Sequence, residues 1–83
     1  MKMLTTDKKL ARLVTALGDA IRKRRQAKNL SQERLAEIAD FDRTYVSLLE
    51  RGERNPSFTN LCRVAAALDT TPSELLKGIS YEP

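Results

Sequence analysis

The sequence contains no histidine and no tryptophan, and its only cysteine is Cys62. One cysteine cannot close an internal disulfide, and a Cys/His zinc site fails on ligand count. The histidine-dependent forms of acid–base and nucleophilic catalysis lack their central residue as well. No metal, cofactor, small-molecule ligand or enzymatic activity is therefore expected. The longest apolar run is five residues, Val64 to Leu68, too short to span a membrane. The opening residues, MKMLTTDKKL, lack the apolar stretch of a signal peptide, so a cytoplasmic location is expected. Three glycines and three prolines punctuate the chain without forming a linker, and no run alternates in the manner of a strand.

What remains is a chain of 83 residues, 41% hydrophobic and 31% charged. This is globular composition, with room for one domain, 1–83. So small a core covers only about 60% of the unfolded surface, which predicts a self-associating face. The 15 basic and 11 acidic residues are unevenly placed: residues 1–21 carry +2, 22–54 carry +3 and 55–83 carry −1. That polarity suits a molecule meeting a polyanion at one end and protein at the other.

Leu10, Leu13, Val14, Leu17 and Ile21 recur at helical spacing and predict a first helix over 7–27, capped by Thr6 and closed near Asn29. Ser31 caps a second helix over 32–39, buried through Leu35, Ile38 and Ala39, with Ala36 small because the next helix crosses it. A tight turn at Asp40 and Phe41 follows. Asp42 then caps a third helix over 43–51, with Val46 and Leu49 inward and Gly52 ending it. Ser57 caps a fourth helix with Phe58, Leu61, Ala65 and Leu68 on one face. TPSE at 71–74 is a capping box opening a short fifth helix through Leu75 and Leu76, stopped by Gly78. The expected fold is all-α, with five helices and a helix-turn-helix core over 31–52.

The runs IRKRRQAKNLSQERLAEIA, YVSLLERGERNPS and LCRVAAALDTTPSELL resemble the lambda-repressor-like helix-turn-helix family, also called the xenobiotic-response-element type, over roughly 17–76. Within it, DRTYVSLLERGERN is most similar to the controller proteins of restriction–modification systems, small dimeric autoregulators. The resemblance implies a five-helix DNA-binding domain and a transcription regulator acting as a homodimer on a palindromic operator. Double-stranded DNA and a second copy of the chain are the expected partners, RNA polymerase a further candidate. The cytoplasmic protein would sit on the nucleoid when bound. A phage-type repressor or Cro-like switch is the alternative, as is an antitoxin that also binds DNA. Two departures stand out: Asp40 and Asn29 occupy positions where the family often has glycine.

A recognition helix inserts its N-terminal half, which makes Arg43, Thr44, Ser47 and Leu48 the candidate base contacts. Gln32, Tyr45, Arg51, Arg54 and Asn55 are the candidate phosphate contacts, Gln32 by resemblance to a family phosphate clamp. Tyr45 could instead pack on a neighbouring helix, Gln32 could be a plain helix-start residue, and Leu48 an ordinary exposed leucine. For Arg22, Lys23 and their basic neighbours, a solvated face and a DNA contact stay open. Arg24 and Arg25 both border the apolar stripe, so spacing does not choose between them; the resemblance pairs Arg25 with Glu50 as a structural ion pair. The dimer surface is expected within about 58–81, at Val64, Leu76, Ile79 and Tyr81. Cys62 is expected to be a small buried hydrophobe.

Overall fold

The computed structural model describes residues 7–82. Helix α1 runs over Lys8–Ala27, α2 over Gln32–Ala39, α3 over Arg43–Glu50, α4 over Phe58–Ala67 and α5 over Pro72–Leu75. The described residues form no strand. Four of the five N-caps are the residues the sequence singles out. Ser31, Asp42, Ser57 and Thr71 each accept a hydrogen bond from a backbone N–H in the first turn. The cap of α1 differs: Asp7 accepts from the Lys9 N–H at 2.8 Å, and Thr6 lies outside the described residues.

The core joins Leu17 and Ile21 of α1, Leu35 and Ala36 of α2, and Val46 and Leu49 of α3. Leu61, Val64 and Ala65 of α4 complete it with Leu68 and Leu75. Three expected core positions are exposed, and Leu13 is half-buried outside the core. Phe58 is 73% exposed, Ile38 44% and Leu10 41%. Phe58 is the first residue of α4, and side chains lean toward a helix's N-terminus, so its ring overhangs the helix end. The buried stripe of α4 turns accordingly to Leu61, Val64, Ala65 and Leu68. In α2 the buried face is Leu35, Ala36 and Ala39, which leaves Ile38 on the far flank. Cys62 is half-buried and free.

Three connections need left-handed backbone. Asn29, Asp40 and Asp69 have φ of 57°, 61° and 56° without being glycine. Asn and Asp bear this conformation best after glycine, so the two departures from the family pattern keep their turns.

Candidate nucleic-acid interface

The direction of α3 is set by the α2–α3 turn. At Asp40 the chain turns left-handed, and the Phe41 N–H reaches back to the Ala36 carbonyl at 2.8 Å. The end of α2 leaves carbonyls without helical partners. Arg63 of α4 supplies donors: one guanidinium nitrogen lies 2.9 Å from the Ala39 oxygen and 2.6 Å from the Asp40 oxygen. The same guanidinium lies over the Phe41 ring, 4.1 Å from its centroid, and Phe41 in turn tilts against Tyr45 at 4.8 Å. Sequence reasoning missed Arg63. The available signal was Asp40 itself, a non-glycine cap in need of a donor. Arg63→Ala should lower stability by about 1–2 kcal/mol, from lost charge-assisted hydrogen bonds and ring stacking. A thermal melt measures it; an unchanged midpoint would mean that water replaces the guanidinium at no cost.

Beyond the turn, Asp42 caps α3 by accepting from the Thr44 N–H at 2.9 Å. Val46 and Leu49 face inward, while Arg43, Thr44 and Arg51 are exposed and Ser47 and Leu48 half-buried. The four candidate base contacts therefore share the outward part of α3.

At the start of α2 the Ser31 hydroxyl takes the Arg34 N–H, leaving the N–H groups of Gln32 and Glu33 at an open helix end. Arg25, Ser31, Gln32, Glu33 and Arg43 line one concavity there. Of these, Arg25 is paired with Glu50. Arg25 donates from Nε to Glu50 Oε2 at 2.6 Å and from Nη2 to Oε1 at 2.9 Å. Its Nη1 donates to the Leu30 carbonyl at 2.7 Å, and Gln32 Nε2 adds a bond to Glu50 Oε1 at 3.1 Å. The carboxylate hydrogen-bonded to it raises the Arg25 pKa above the ordinary arginine value, against the opposing effect of burial. Gln32 thus serves the frame as well as the helix start.

Tyr45 is half-buried, and its hydroxyl accepts from Asn60 Nδ2 at 3.1 Å. That bond leaves the phenolic proton free to donate elsewhere. Arg51 lies 3.7 Å from Glu53, Arg54 reaches the Glu53 carbonyl at 3.4 Å, and Asn55 is exposed. The basic run of α1 is largely engaged. Arg22 and Lys23 share Asp19, Arg24 lies 3.9 Å from Glu74, and Lys28 bonds Asp69 at 2.6 Å.

The expected dimer residues separate. Val64 is completely buried among Leu61, Leu68 and Leu75, so it belongs to the core of one chain and cannot face a second. Ile79 is half-buried against that core, whereas Leu76 and Tyr81 are 39% and 48% exposed.

The family model described as Helix-turn-helix matches residues 21–75. Control protein C.MunI from a Mycoplasma species is 46% identical over 66 residues, covering 78% of this chain and 89% of that one. The chain belongs to the helix-turn-helix family, among its restriction–modification control proteins. The crystal structure of the controller protein C.AhdI from Aeromonas hydrophila is similar, with a TM-score of 0.73 and 49% identity over 78% of this chain and 97% of that one. A third relative, the controller C.Esp1396I, has a TM-score of 0.73 and 30% identity, covering 81% of this chain and 88% of its own. It was crystallised as a tetramer with its natural 35-base-pair operator. As a control protein, the chain joins a family of DNA-binding transcription regulators. No described helix is long and apolar enough to cross a membrane.

Proposed function

We propose that the protein is a homodimeric transcription regulator that reads a palindromic operator and paces the expression of a restriction–modification system, its own gene included. One observation carries this: α3 presents Arg43 and Thr44 to solvent beside the open start of α2, in a chain 46% identical to a control protein. Arg43 grips guanine through O6 and N7, and Thr44, Ser47 and Leu48 meet neighbouring base edges. Gln32, Tyr45, Arg51, Arg54 and Asn55 hold the flanking phosphates, and the N–H groups at the start of α2 add their partial positive charge. Residues 1–83 act as one domain without catalytic chemistry, in the cytoplasm, and RNA polymerase is the partner through which an activator would work. The experiment is selection from a random duplex library, expected to enrich a palindrome. Arg43→Ala should then cost about 1–3 kcal/mol on the enriched duplex and much less on random DNA. Equal losses in gel-shift titrations would reassign Arg43 to a phosphate.

A single recognition helix reads only a few base pairs, and a twofold pair places two about 34 Å apart on one face of the duplex. The surface that pairs the copies is taken to be α5, the tail and the adjoining part of α4, the least basic third of the chain, with Leu76 and Tyr81 at its centre. Leu76→Asp should convert the sedimenting dimer to monomer and weaken operator binding, with Arg43 untouched. Persistence of the dimer at micromolar concentration would move the interface elsewhere. Leu76 is a cleaner probe than Ile79, whose side chain also packs on the core.

A further inference from the structure

The family model begins at residue 21, yet α1 begins at Lys8. Its first three turns thus lie outside the part of the chain that the helix-turn-helix family describes. One face of that stretch carries Lys8, Arg12, Thr15 and Asp19. It lines an open concavity whose far wall is Glu50 and Arg51, at the C-terminal end of α3.

The charges in this concavity do not cancel. Asp19 is occupied by Arg22 and by Lys23, the latter at 3.0 Å. The Lys23 hydrogen bond is the first cause of its carboxyl being held below the ordinary range. Glu50 is buried on Arg25. Lys8 and Arg12 are exposed, and neither has a hydrogen bond or ion pair from its side chain among the described residues. Beside Arg51 they leave a surplus of positive charge on an open surface.

We propose that Lys8 and Arg12 form a second DNA-backbone contact, continuing the phosphate path that starts at Arg51. The inference rests on the DNA-binding function proposed above and extends its footprint beyond the helix-turn-helix. The occupant follows from continuity. Eight helical residues span about 12 Å, and the major groove is about 12 Å wide. A helix that inserts its N-terminal half keeps its C-terminal end near the phosphate rim. Arg51 stands at that end, and the Lys8–Arg12 face opens directly beside it. Lysine and arginine on an open surface suit a backbone of repeated charges, sensed without regard to base sequence.

The test uses the double variant Lys8→Gln/Arg12→Gln on two probes, the palindromic duplex enriched from the random library and a random duplex. The slope of log K against log salt should become shallower by about two per protomer, with the same fold loss on both duplexes. Ethylation interference should disappear at one or two phosphates per half-site while the base preference stays intact. An interference pattern identical to that of the unaltered protein would overturn the contact, whatever the slope does. If no duplex is enriched at all, the DNA-binding function fails and the contact with it; if one is enriched and only the interference pattern stays unchanged, the contact alone fails. Both side chains are exposed, so the melting temperature of the variant should match that of the parent.

Discussion

Replacing Glu50 with alanine should destabilise the protein by about 3–5 kcal/mol, and Arg25→Ala by a similar amount. The Glu50 side chain is 2% exposed and that of Arg25 12%, so either change strands a charge where water reaches it poorly. Arg25→Ala also frees the Leu30 carbonyl, and Glu50→Ala frees the Gln32 amide. Because the two residues share one interaction, the double variant should lose less than the two singles combined. Urea melts of all three variants measure this, and additive losses would mean that the pair does not couple. The raised Arg25 pKa adds a sign. Stability from a raised pKa is fully present below the unfolded value and is lost only as pH rises through the folded one. For Arg25 that loss belongs to strong alkali.

Gly18→Ala should destabilise by about 1–3 kcal/mol, although alanine in a helix ordinarily gains about 1 kcal/mol over glycine. The sign is therefore diagnostic. A Cβ at Gly18 would stand 2.3 Å from the Leu49 carbonyl oxygen and 2.8 Å from that of Glu50. These are backbone atoms and cannot swing aside, so α1 and α3 must separate. Separation would also stretch the Arg25–Glu50 bonds, and the DNA affinity of the folded fraction should fall too. A variant that melts higher than the parent would show that the two helices have room to spare.

The helix starts were legible because capping is local: Ser31, Asp42, Ser57 and Thr71 each act within four residues of themselves. The outward half of α3 followed from helical periodicity alone. The pairing of Arg25 rather than Arg24 did not, since both border the stripe, and resemblance supplied the choice. What stayed hidden depends on contacts between distant segments. Gly18 reads as an indifferent helical residue until α3 is laid across it. Arg63 reads as a surface charge until the end of α2 is placed beneath it. Val64 could be placed outside the core only while Phe58 was kept inside; the stripe keeps Leu61, Ala65 and Leu68 and exchanges the overhanging Phe58 for Val64.

The side chains of Arg43, Thr44 and Ser47 take part in no hydrogen bond within the described chain, while the cap of α3 works through Asp42 and a backbone N–H. The residues proposed above to read the operator are thereby separate from those that hold the fold. Residues at 43 and 44, both exposed, are free to be exchanged, by an engineer or by lineage drift, at a folding cost of about 0.5 kcal/mol or less each. Ser47 and Leu48, both half-buried, are the positions at which such exchange begins to trade against stability. With the base contacts proposed above, a set of operators is addressable from this one frame by rewriting two neighbouring codons, and two copies of the gene can part company in what they recognise long before they differ in how they fold.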